Sequence, residues 1–136
     1  MNLGDFQEIE PIYNLEFDDF WKPQNLKSEL QNVSSKYIVA KENGKIVGFA
    51  GIWYSVDDAH ITNIVVRKSY RNKGIGSLLL EKLIELAKTK TSLTLEVNTK
   101  NEIAQKLYLK YGFKNLGIRK KYYDGIEDAY IMTLYF

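Results

Sequence analysis

One stretch limits what this chain can fold into. Ile64, Val65 and Val66 form a β-branched run that reads as the end of a buried strand. A basic turn follows, Arg71-Asn72-Lys73-Gly74-Ile75-Gly76, and from Leu78 onward the apolar residues recur at helical spacing. Beyond that helix Leu93, Leu95 and Val97 alternate with polar residues, so a second strand comes next. Strand, helix and strand make a βαβ unit, which implies a parallel pair in a sheet covered by helix. The turn between them has chemical consequences. A helix start exposes unpaired N–H groups and the positive end of its dipole. Glycines let the backbone approach a ligand closely, and Arg71 and Lys73 add positive charge, so an anion such as a phosphate is the expected guest. A strand–turn–helix corner that merely needs positive φ angles explains the two glycines equally well. Two familiar phosphate fingerprints are excluded. G-x-x-x-x-G-K-[ST] is absent, and G-x-G-x-x-G fails because Leu79 stands at its third glycine.

Around this unit the chain reads in order. Asp5 is expected to N-cap a first helix carrying Phe6, Ile9, Ile12, Tyr13 and Phe17 on one face, with Pro11 kinking it or delaying its start. Residues 18–23 read as a loop and Leu26–Leu30 as a short second helix. Tyr37–Lys41 and Ile46–Tyr54 flank Asn43-Gly44, a type I′ hairpin signal. Ala59–Arg67 is the third strand of the meander. The helix from Gly74 to Lys88 turns Ile75, Leu79, Leu83 and Leu86 inward, widened by Leu78, Leu80, Ile84 and Ala87. Asn101 caps a further helix that Gly112 ends, and Phe113–Tyr122 and Asp128–Tyr135 close the chain as two strands around Asp124-Gly125. The order is ααβββαβαββ in a single domain, residues 1–136.

Composition narrows the chemistry. With no cysteine, disulfides, thiolate metal sites and a cysteine nucleophile are excluded, and a single histidine, His60, makes a metal site or a Ser-His-Asp triad improbable. A net charge of +2 gives no argument for nucleic acid, and no apolar run is long enough to span a bilayer. No signal peptide is read, so the expected compartment is the cytoplasm.

The basic loop resembles the Q/R-x-x-G-x-G/A signature of the GNAT acetyltransferases, and the element order is similar to their α+β fold, a central mixed twisted sheet flanked by helices. The strand that usually precedes the first helix is missing or reduced to Met1–Gly4, which leaves a sheet edge open to pairing. Four further matches resemble the RimI-type protein N-terminal acetyltransferases. They are Phe20-Trp21 with Glu29-Leu30; Leu95-Glu96-Val97; Asn101 through Leu107-Tyr108 to Tyr111-Gly112-Phe113; and the string from Arg119 to Met132. The resemblance implies acetyl-CoA as donor, its pyrophosphate on the backbone of Arg71, Asn72, Lys73, Gly74, Ile75, Gly76 and Ser77. It also implies that the pantetheine arm runs along Ile64, Val65 and Val66, and that Asn101 contacts the cofactor. The implied acceptor is a protein N-terminus, by the RimI likeness that of a ribosomal protein.

Acetyl transfer needs a deprotonated amine, support for the carbonyl oxygen and a proton for the thiolate. A peptide α-amine titrates at about 7.7–8.0, so a modest base suffices. Glu96 is the candidate base, facing away from Leu95 and Val97; a solvent-facing strand glutamate is the plain alternative. Tyr108 is the candidate acid, since a phenol stays protonated at neutral pH; an aromatic packed on the sheet is the alternative. The resemblance also implies Trp21, Tyr123 and Tyr130 as acceptor contacts, with edge-strand packing as the other reading for the tyrosines. His60 is read as structural, and Arg119-Lys120-Lys121 as a solvated run without a catalytic role. No metal site is expected. A small-amine or lysine acetyltransferase and a non-catalytic acetyl-CoA sensor are the competing functions.

Overall fold

The β-branched runs and the hairpin signal fold as a sheet, and the helix-periodic runs lie on its two faces. The structure is a computed structural model that describes residues 1–17, 22–123 and 127–136, with the backbone alone at 121–123. Its elements are α1 (Leu3–Ile9), α2 (Pro23–Glu29), β1 (Ser35–Glu42), β2 (Lys45–Tyr54), β3 (Asp58–Val66), α3 (Ile75–Ala87), β4 (Ser92–Asn98), α4 (Glu102–Lys110), β5 (Lys114–Tyr123) and β6 (Glu127–Tyr135). The sheet has six strands in the order β1-β2-β3-β4-β6-β5, antiparallel throughout except for β3 beside β4.

The start of the chain departs from expectation. Asn2, not Asp5, caps α1: its side-chain oxygen accepts from Asp5 N–H at 2.9 Å, and the Asp5 carboxylate accepts from Asn2 N–H at 2.9 Å. Each side chain accepts from the other residue's backbone N–H, a reciprocal capping box in which Asp5 is the third helical residue and not the cap. Pro11 breaks the α-helical ladder as expected. The chain continues as a tight turn over 10–12 and a wide one over 13–17, keeping Phe6, Ile9, Tyr13 and Phe17 buried. No strand precedes α1, and β1 lies at the sheet's edge, its Tyr37 carbonyl accepting from the Met1 ammonium at 2.8 Å. Pro23 opens α2 as its first residue, where its missing N–H costs nothing, although it reads as loop in sequence.

Two apolar clusters divide the sheet. On one face α3 and Phe113 cover Ala50, Ile52, Ala59, Leu93, Leu95, Val97 and Met132. On the other, Phe6, Ile9, Tyr13, Phe17 and Leu26 cover Tyr37, Ile46, Phe49 and Val65. Burying each of these large side chains stabilises by about 1.5–3 kcal/mol. Leu78 is a correction: it is 65% exposed while Leu79 and Leu80 are buried, because three successive helix residues span too wide an arc to face one sheet.

A bulge in β3 decides what the site receives. Ile61 pairs with Ile52 but Asn63 pairs with Gly51, leaving Thr62 as the extra residue. Ahead of it Ala59 and Ile61 face α3; after it Ile64 and Val66 do, and Val65 faces the α1 side. Tyr37 stands across the bulge, its hydroxyl 2.8 Å from Thr62 Oγ1 and donating to Asn63 Oδ1 at 2.7 Å. Gly51 makes room for it, since a Cβ there would lie 2.2 Å from the Tyr37 ring.

Candidate active site

β3 and β4 pair only from Asp58↔Ser92 to His60↔Thr94. Past that point the strands part, and the edge of Ile64, Val65 and Val66 carries no ladder to β4. Backbone N–H and C=O groups want partners, so the edge suits a guest with amides of its own.

The cleft so formed, ≈ 630 Å³, runs between this edge, the loop into α3 and the start of α4. Asn72 (φ 63) and Gly74 (φ 84) take left-handed conformations that turn the chain into α3. Among the described residues no side chain caps α3, so none of them satisfies its first-turn N–H groups as a cap. Gly76 lines the cleft, and a Cβ there would meet only Val66 Cγ2, at 3.8 Å. Nothing in the protein therefore demands glycine at 76, whereas a backbone held close to a bound group would. These features fit a pyrophosphate.

Of the sequence-derived cofactor residues, Ile64, Val65, Val66, Arg71, Asn72, Gly74, Ile75, Gly76, Ser77 and Asn101 line this cleft. Lys73 does not; its ammonium lies 5.2 Å over the Tyr70 ring, and Tyr70 takes a place in the wall. Arg71 serves the architecture as well as the charge: Nε donates to Val66 O at 2.9 Å and a terminal nitrogen to Phe17 O at 3.3 Å, tying the loop to β3 and the end of the first helical segment. Asn101 caps α4 by accepting from Ala104 N–H at 3.1 Å, and still lines the cleft. Phe17, Ile103 and Leu107 complete the wall and carry no chemical signature in sequence.

Tyr108 also lines the cleft, its ring 5.7 Å from that of Phe113. Burial pushes its hydroxyl up to about 12, because the phenolate would lose its water. Gly112 (φ 95) ends α4 as read, with Phe113 N–H donating to Tyr108 O at 3.1 Å and Gly112 N–H to Leu109 O at 3.1 Å, which fixes the turn on which Tyr108 sits.

Glu96 points to the other face of the sheet, as the alternation requires, yet it is not solvent-facing. Its side chain is 6% exposed, with Oε2 2.7 Å from His60 Nε2 and Oε1 3.6 Å from Arg119. These three line a second cavity, ≈ 340 Å³, with Trp53, Thr94 and Ile131. His60, read as structural, and Arg119, read as part of a solvated run and 54% exposed, both stand beside Glu96. Strand parity held the missed signal: His60 alternates with Ala59 and Ile61 as Glu96 does with Leu95 and Val97, and a parallel pairing brings those faces together.

The acceptor contacts fare differently. Trp21 lies outside the described residues, as does the Asp124-Gly125 turn, and of Tyr122 and Tyr123 only the backbone is described, Tyr123 pairing with Glu127. Tyr130 pairs with Val97 and packs on the α3-bearing face, so the structure does not bring it to Glu96. Among the described residues no group of histidine or acidic side chains is arranged to hold a metal ion, and no helix is long and apolar enough to cross a membrane.

Known proteins share this arrangement. The acetyltransferase (GNAT) family matches residues 6–113. A Bacillus subtilis protein, provisionally named a [ribosomal protein bS18]-alanine N-acetyltransferase, is 40% identical over 133 residues, 93% of this chain and 88% of its own. The crystal structure of the ribosomal-protein-S18-alanine N-acetyltransferase from Escherichia coli superposes with a TM-score of 0.88 at 32% identity, covering 99% of this chain and 90% of that one. A GNAT family acetyltransferase from Elizabethkingia anophelis, solved with acetyl-CoA bound, gives 0.74 at 27% identity over 85% of this chain and 84% of that one.

Proposed function

Since the chain belongs to the GNAT acetyltransferase family, we propose that it transfers acetyl from acetyl-CoA to the N-terminal α-amine of a protein, with ribosomal protein bS18 as the acceptor. The acceptor follows from the names of the relatives; the donor is supported by the cleft. The observation that carries the chemistry is the parting of β3 from β4 past His60 and Thr94, which leaves the edge of Ile64–Val66 unladdered beside the cleft that Tyr108 lines.

Acetyl-CoA supplies the activated acyl group. The first-turn N–H groups of α3 hold its pyrophosphate, and the edge of Ile64–Val66 pairs with the amides of its arm. A backbone N–H of that edge, fixed before reaction, stabilises charge developing on the acetyl carbonyl oxygen. The acceptor amine enters from the Glu96 face. Glu96 takes the proton, directly or through a water, the amine nitrogen bonds to the acetyl carbon, and the carbon–sulfur bond breaks. Tyr108 gives its proton to the departing thiolate. Attack on the acetyl carbon is direct in this scheme, and the chain has no cysteine to form an acyl-thioester. Trp21 and Tyr123 remain the candidates for holding the acceptor peptide, and Tyr130, packed on the α3-bearing face, is no longer among them.

The test is thiol release from acetyl-CoA with a bS18 N-terminal peptide, unrelated N-terminal peptides, free lysine and polyamines. Turnover on the bS18 peptide, reduced roughly 100-fold or more in Glu96→Gln and Tyr108→Phe, is the expected result. Preference for lysine or a polyamine would overturn the acceptor, and full activity in both variants would overturn the assigned roles.

A further inference from the structure

The bulge in β3 decides which backbone groups the strand turns toward the donor cleft. Arg67 N–H donates to Val47 O of β2 at 2.8 Å. Backbone groups of successive strand residues point to opposite sides, so Asn63 and Val65 also face β2, while Ile64 and Val66 face the cleft. Val66 agrees, since its C=O accepts from Nε of Arg71, a residue of the cleft wall, at 2.9 Å. Ahead of the bulge the parity is the reverse. Ser55 N–H donates to Asp58 O at 2.9 Å, so Asp58 and His60 face β2, and Ala59 and Ile61 face β4. Without the extra residue that parity would run on, turning Ile64 and Val66 to β2 and leaving Asn63 and Val65 on the open edge.

One hydroxyl ties this bulge. Tyr37 OH donates to Asn63 Oδ1 at 2.7 Å, which uses its single proton, so Thr62 Oγ1, 2.8 Å away, donates to the Tyr37 oxygen. Tyr37 and Asn63 are each 5% exposed, and the Tyr37 ring packs in the cluster under α1. The fold keeps the place open: a Cβ at Gly51 would lie 2.2 Å from that ring and 2.6 Å from Thr62 Oγ1. We propose that Tyr37 is a positioning residue for acetyl transfer, its hydroxyl holding Thr62 and Asn63 in the bulge so that the N–H groups of Ile64 and Val66 face the acetyl-CoA arm. The inference rests on the reading of this edge as the seat of that arm. A donor fixed in direction before reaction stabilises the developing oxyanion, and a donor that must first be turned does so less well.

The test combines turnover on the bS18 peptide with the backbone amide signals of the ¹⁵N-labelled chain during titration with acetyl-CoA. In the natural chain the signals of Ile64, Val66, Gly76 and Ser77 all respond. Tyr37→Phe lowers kcat roughly 10-fold, and the response of Ile64 and Val66 shrinks. Gly76 and Ser77 respond as before, and the KM for acetyl-CoA stays within a few-fold, because the pyrophosphate turn is untouched. Thr62→Val, which removes only the link to the extra residue, moves the same readings in the same direction, and Thr62→Ser restores them. Should Tyr37→Phe fail to fold, Thr62→Val with its Thr62→Ser rescue decides by these readings. Normal kcat in both Tyr37→Phe and Thr62→Val, or an unchanged response of Ile64 and Val66, overturns the proposal. So does a loss of response at Gly76 and Ser77 as well, the mark of a side chain that only supports the fold. A natural chain whose Ile64 and Val66 signals ignore acetyl-CoA sinks the reading of the edge itself, and the proposal with it.

Discussion

Tyr108 illustrates how one side chain's surroundings set its chemistry. An acid for a thiolate must keep its proton until the sulfur departs, and burial against Phe113 raises the hydroxyl to about 12 from its ordinary 10. The same shift makes Tyr108 a source of alkaline instability. The folded state binds this proton more tightly than the unfolded chain, so its contribution is complete below about pH 10 and is lost as pH rises toward about 12. Tyr108→Phe should therefore lose less stability across that window than the natural chain, read from urea midpoints at its two ends. An equal loss would mean the hydroxyl is not buried as described. Glu96 shows the complementary case. A strand glutamate with apolar neighbours reads as surface in sequence, and in the fold its side chain is 6% exposed, in contact with His60 and Arg119.

At the scale of elements, α3 does two jobs that pull apart under mutation. Its buried stripe of Leu79, Leu80, Leu83 and Ala87 anchors it to the sheet, and its uncapped start faces the cleft. Gly76 belongs only to the second job. It has no positive φ, and a methyl there meets ordinary space, so Gly76→Ala should raise stability by about 0.4–1 kcal/mol through the unfolded chain. The same methyl stands where a phosphate would approach the backbone, and acetyl-CoA should bind at least several-fold more weakly. Calorimetry with and without acetyl-CoA checks both; a variant that binds normally would detach the pyrophosphate from this turn. Elements of this kind are legible in sequence because their signals are local. Asn43-Gly44 adopts the expected pair of positive φ angles, and Gly112 ends α4 as read. At Asn2 and Asp5 the signal was ambiguous within a turn, because both residue types can cap a helix and here each accepts from the other's backbone N–H.

The whole molecule sets two cavities beside the pair β3 and β4, the larger lined where the strands have parted and the smaller where they still pair. Donor and acceptor sites should then be separable. Acetyl-CoA at 100 times its dissociation constant stabilises the fold by about 2.7 kcal/mol, and Glu96→Gln should keep that thermal shift while losing turnover. A shift abolished by Glu96→Gln would place the carboxylate in the donor cleft instead. The sequence by itself determined the order of strands and helices, the hairpin and the glycine turn into α3, because periodicity, caps and turn residues act within a few positions of one another, while Glu96 and Tyr108 became candidates through their resemblance to the family's motifs. Only the tertiary structure decided that His60 and Arg119 meet Glu96, that Tyr130 turns to the α3 face and that Lys73 leaves the cleft wall. Those outcomes depend on strand register, on a bulge at Thr62 that exchanges the faces of β3, and on a ladder that stops at His60. Each is a cooperative result of packing between segments distant in the chain, and no short window of residues encodes it.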